Sequence, residues 1–147
     1  MEEKLRGAAM DNDIEEVEAL LKDNGLDVNY EDQGGLTALH CASLQGHADN
    51  AKLLLAHPDI NVNAQDNNGS TPFLLACQEG QVSVVRMLLE DPRVDITFAD
   101  ENDCTPLWWA AAHGYHEVIE WLIASNRPRG PRQGRGWFHG TWRCKME

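Results

Sequence analysis

A short apolar stripe with spacings of three and four returns four times along the chain. It reads Val17, Leu20, Leu21, then Ala51, Leu54, Leu55, then Val85, Leu88, Leu89, and finally Ile119, Leu122, Ile123. Three-and-four spacing places such residues on one face of a helix, so each stripe predicts an amphipathic helix with one buried side. Successive copies lie 34 residues apart, and the surrounding residues keep the same step: Thr37, Thr71 and Thr105; Ala42, Ala76 and Ala110; Gly46, Gly80 and Gly114; Asp32, Asp66 and Asp100. Leu5 and Ala8 fall in the same frame as a degenerate first copy. A fixed period of roughly 20 to 50 residues marks units that cannot cover their own apolar face and stack so that neighbours do.

Within each copy the punctuation predicts a second, earlier helix. Thr71-Pro72 and Thr105-Pro106 set a capping oxygen before a proline at the first helical position, where its missing N–H costs nothing. Gly46, Gly80 and Gly114 stop this helix about nine residues on, by supplying the left-handed residue of a C-terminal cap. After the second helix, His57-Pro58 and Asp91-Pro92 prevent continuation. An extended dipeptide follows (Val28-Asn29, Val62-Asn63, Ile96-Thr97), and Asp66-Asn67-Asn68-Gly69 signals a tight turn into the next copy. The expected fold is an all-α solenoid of stacked helix-turn-helix units joined by β-turn or hairpin loops.

The run Leu36-Thr37-Ala38-Leu39-His40-Cys41-Ala42-Ser43-Leu44-Gln45-Gly46-His47 resembles the ankyrin-repeat signature Thr-Pro-Leu-His-x-Ala-Ala-x-x-Gly-His. The stretches from Ser70 to Gly80 and from Cys104 to Gly114 resemble it too. The likeness covers roughly residues 3 to 125. The chain departs from the pattern where Leu74 and Trp108 replace the histidine and Ala38 the proline. Asp103 stands at the turn position of Gly35 and Gly69, and Asn12 replaces the first-copy glycine. Asn and Asp tolerate left-handed geometry, so these turns are expected to survive. The resemblance implies that His40 and Thr37 satisfy backbone groups of their own turn. It further implies a non-enzymatic protein-interaction module whose partner lies on the concave face. Carried over by position, that face comprises Gln33, Leu36, Leu44 and Gln45; Asn67, Asn68, Ser70, Gln78 and Glu79; and Glu101, Asn102, Cys104, Ala112 and His113. Asn29, after Asp27-Val28, resembles the asparagines hydroxylated in such hairpins and is a modification candidate.

Charge divides the chain. Up to Asn126 there are six basic side chains against 23 acidic ones, a net of −17; from Arg127 onward the balance is +5, with four glycines and no Leu, Ile or Val. This places a boundary near Asn126, between a repeat domain at 1–126 (copies about 2–35, 36–69, 70–103 and 104–126) and a basic Gly/Arg/Trp-rich tail at 127–147, expected to be disordered. The acidic face favours a protein partner presenting a basic segment and disfavours nucleic acid. The alternative is nucleic-acid or polyanion association through the tail. No apolar run reaches ~18 residues, and the acidic start lacks the pattern of a secretory signal. Cys41, Cys77, Cys104 and Cys144 form no CxxC pair, so reduced thiols in the cytoplasm or nucleus are expected.

Two groupings invite a chemical reading. His40, Cys41 and Ser43 could be parts of a nucleophilic site, but Cys41 aligns with Leu75 and Trp109, which argues for packing. His113 and His116, near Cys104, could offer two imidazoles to zinc, but Gly114 at the helix stop separates them. With no phosphate-binding glycine loop and no nucleophile elbow, neither an enzyme nor a cofactor is expected. The last stack leaves Trp109, Val118 and Trp121 to face water unless Trp137, Phe138 and Trp142 fold back, or a partner or second copy of the chain docks there.

Overall fold

The computed structural model describes residues 2–125. The tail and its expected disorder, fold-back or nucleic-acid contact lie outside these residues. Eight helices are present among them: α1 (Glu2–Met10), α2 (Ile14–Leu21), α3 (Ala38–Gln45), α4 (Ala48–Leu55), α5 (Pro72–Gln78), α6 (Val82–Glu90), α7 (Pro106–Ala112) and α8 (His116–Ala124). They pair as antiparallel-type hairpins along the chain. The odd-numbered helices pack on one another in one layer and the even-numbered ones in a second. The result is the expected all-α repeat solenoid, with no strand among the described residues.

The start and stop signals act as read. Thr37, Thr71 and Thr105 are extended and accept hydrogen bonds from the backbone N–H of His40, Leu74 and Trp108 at 3.3, 3.1 and 3.1 Å. Pro72 and Pro106 open their helices. Asn12 and Asp103 take φ of 61° and 63°, the left-handed geometry held elsewhere by glycine. Leu54, Leu88 and Leu122 line up in one buried spine between the layers, with Val17, Ala51 and Val85 beside them. Removing each large aliphatic side chain from water contributes about 1.5–3 kcal/mol. The stripe fails only at its end, where Ile123 is 61% exposed because no further helix follows α8 among the described residues.

Each turn is organised by an aspartate. Asp66 Oδ1 accepts from the N–H groups of Asn68 and Ser70, both at 2.9 Å, while its main chain pairs with Ser70 and Gly69. Asp32 does the same for Gly34 and Leu36, and Asp100 for Asn102 and Cys104. Neighbouring copies are then bolted together through main-chain acceptors. Asn29 Nδ2 donates to the Asp59 carbonyl and its Oδ1 accepts from Asn61 N–H, both at 2.8 Å. Asn63 repeats the arrangement with Arg93 and Asp95 at 2.9 Å. At the helix ends, Gln81 Nε2 donates to the Leu44 carbonyl at 2.9 Å, and His47 Nε2 lies 3.0 Å from the Met10 carbonyl.

His40 joins two copies. Its Nδ1 accepts from the Thr37 N–H at 3.1 Å, so the ring proton resides on Nε2, which donates to the Ser70 carbonyl at 2.9 Å. Burial lowers the pKa of this imidazole below 6.5, the hydrogen bond to Ser70 opposing only in part. A folded-state pKa below the unfolded value means that the unfolded chain binds the extra proton. The His40 contribution is therefore complete above about 6.5 and is lost as pH falls from there towards the lowered native value. Thermal unfolding followed between about pH 7.5 and 5.5 is expected to show a falling midpoint in the wild type and a flatter profile in His40→Leu; parallel profiles would remove His40 as the cause.

Candidate protein-interaction face

The predicted partner-binding positions fall in two groups. Turn tips carry Gln33, Asn67, Asn68 and Glu101 exposed, with Leu36 and Asn102 half-buried. The C-terminal ends of the odd-numbered helices carry Gln45, Glu79, Ala112 and His113 exposed, with Leu44 and Gln78 half-buried. Ser70 and Cys104 are different. They are 4% and 0% exposed, because the aspartate of each turn draws their N–H groups inward. Asn67 spends part of its side chain internally, Nδ2 donating to the Gln33 carbonyl at 2.8 Å, while its own N–H reaches the Gly34 carbonyl at 2.9 Å. Glu101 N–H reaches the Asn68 carbonyl at 2.8 Å. The tips are thus fixed by main chain, and the side chains of Gln33, Asn68 and Glu101 project from a rigid edge.

The fourth copy differs chemically from the others. Trp109 Nε1 donates back to Asp100 Oδ2 at 3.1 Å, so both oxygens of Asp100 are engaged. Trp109 stacks on His113, centroids 5.5 Å apart and planes 13° from parallel; His113 meets Tyr115 at 5.5 Å and 30°. Trp108 meets Trp109 edge-on at 5.2 Å. Sequence reading named His113 but missed this array. The available signal was the frame: Trp109 replaces Cys41 and Leu75, and Tyr115 replaces His47 and Gln81.

The other candidates also find their places. Cys41 and Cys77 are buried free thiols, both with raised pKa from desolvation, Cys77 as the more strongly shifted of the two. Cys104 is buried as well, with its sulfur 3.8 Å from the Asn102 carbonyl. His40, Cys41 and Ser43 are all inside the stack. His113 is held in aromatic contacts, and no group of three metal-ligating side chains occurs among the described residues. Asn29 has both halves of its amide occupied between copies. At the open end Val118 is fully buried, not exposed, whereas Trp121 is 37% exposed beneath the Arg86 guanidinium, 4.8 Å from the ring centroid.

A two-layer stack of helical hairpins with projecting turns defines a repeat scaffold, and comparison with known families gives its kind. The family described as Ankyrin repeats (3 copies) matches residues 5–100 and again 59–132, so the chain belongs to the ankyrin-repeat family. Repeats of this family are in general protein–protein interaction modules and typically non-enzymatic. No curated protein matches the chain. No helix among the described residues is long and apolar enough to cross a membrane.

Proposed function

We propose that the chain is an adaptor that holds a basic segment of a protein partner against the turn tips and the ends of the odd-numbered helices. One observation carries this reading. Backbone and buried side chains at these positions are consumed by the stack, while Gln33, Gln45, Asn68, Glu79, Glu101 and His113 stay exposed on the rigid frame and vary from copy to copy. A constant frame with a varied face is how repeat scaffolds present a binding surface. The charge of −17 up to Asn126 selects the sign of the partner.

The test uses a flexible peptide of mixed lysine and arginine titrated calorimetrically into the full chain. Affinity is expected to fall as salt rises from about 50 to about 500 mM, since the Debye length shrinks several-fold over that range. Charge reversal at Glu79 and Glu101 together is expected to weaken binding about tenfold at low salt. Affinity that rises with salt, or ignores the double reversal, would overturn the proposal.

A further inference from the structure

In the aromatic array of the fourth copy, rings and carboxylates meet on this face. Tyr115 lies against the end of α5: a Cβ added at Gly80 would stand 2.9 Å from its ring, and exposed Glu79 is the residue before that glycine. From Tyr115 the rings continue through His113 to Trp109, and Trp109 ends on the Asp100–Glu101 turn. We propose that Trp109, His113 and Tyr115 form an arginine-recognition strip, with Glu79 at one end and the Asp100–Glu101 turn at the other. This deepens the basic-segment reading and rests on it.

The chemistry favours a guanidinium. A planar, delocalised and weakly hydrated cation lies flat on ring faces and still directs N–H groups sideways to carboxylates, which an ammonium cannot do. Asp100 strengthens the site without touching the ligand. By accepting the indole N–H at 3.1 Å it fixes the Trp109 ring and adds electron density to its π-face. The rings are placed before any ligand arrives, so little ordering is required on binding. The chain already makes such a pair elsewhere, with Arg86 over Trp121 at 4.8 Å.

Two flexible glycine-spaced peptides of equal charge, one carrying arginine and the other lysine, are titrated into the full chain. The arginine peptide is expected to bind about fivefold more tightly. It should also shift the Trp109 indole Nε1–H resonance, which the lysine peptide should leave nearly in place. His113→Ala is expected to erase most of the difference while the thermal midpoint stays that of the wild type. Should that variant melt early, the indole shift in the unaltered chain decides alone. Equal affinity for the two peptides and an unmoved indole would overturn the strip and leave the basic-segment reading standing. Failure of both peptides to bind would overturn both.

Discussion

Leu88→Asp is expected to abolish the cooperative unfolding transition of the chain. Leu88 is 0% exposed in α6, the second helix of the third copy, which packs between α4 and α8. The substitution removes an aliphatic side chain whose burial stabilises by about 1.5–3 kcal/mol. It also places an unpaired carboxylate in the spine, at a cost of about 3–5 kcal/mol when nothing compensates it. Domains of this size hold only about 5–15 kcal/mol in total. In a linear stack the damage reaches both neighbours, because each unit is stabilised mainly by the interfaces on its two sides. The control is Leu88→Ala, expected to lower stability by about 2–5 kcal/mol and keep a transition. Far-ultraviolet circular dichroism during heating is the measurement; a sigmoidal melt at the wild-type midpoint for Leu88→Asp would show that Leu88 does not belong to a shared spine.

How far the sequence disclosed this molecule depends on where each interaction ends. Caps, stops and turn aspartates act within about five residues of themselves, and Thr71, Gly80 and Asp66 were legible because a local rule names the residue type that each position requires. The leucine spine was legible through its period. The bolts between copies were not. Asn29, Gln81 and His47 all reach main-chain carbonyls, those of Asp59, Leu44 and Met10, which lie 30 to 37 residues away. A carbonyl acceptor is the same whatever side chain its residue carries, so no pairing of residue types betrays the contact. The binding face was half legible for a related reason. Its frame positions transferred, but the burial of Ser70 and Cys104 follows from how Asp66 and Asp100 bend the main chain. Leu36, at the equivalent position, is bent the same way and remains half-buried because its side chain is larger. The stack of Trp109, His113 and Tyr115 depends on rotamers, which spacing does not determine.

Gly35→Ala is expected to cost far more than Gly114→Ala, although both glycines are left-handed, at φ of +80° and +71°. An L-residue in that region loses about 1–2 kcal/mol from its own backbone sterics, and this part is common to the two sites. The rest is not. A methyl at Gly35 would stand 2.7 Å from Asn67 Oδ1 and 2.8 Å from Asn67 N, whereas a methyl at Gly114 would meet nothing within 4 Å. Because the nearest groups belong to a turn, relief requires the two tips to separate and gives up the 2.9 Å bond from Asn67 N–H to the Gly34 carbonyl. Overpacking of this kind costs about 1–3 kcal/mol beyond the dihedral penalty. Urea unfolding should therefore place Gly35→Ala about 2 kcal/mol or more below Gly114→Ala, and equal losses would mean that the tips are not in contact in solution. The position is held in the third copy by Asp103, with φ of 63°. Gly35 and Gly69 each have the tip of the next copy against them, Asn67 and Glu101 respectively. Asp103 carries its side chain at that position with a left-handed strain that Asp tolerates better than most residues.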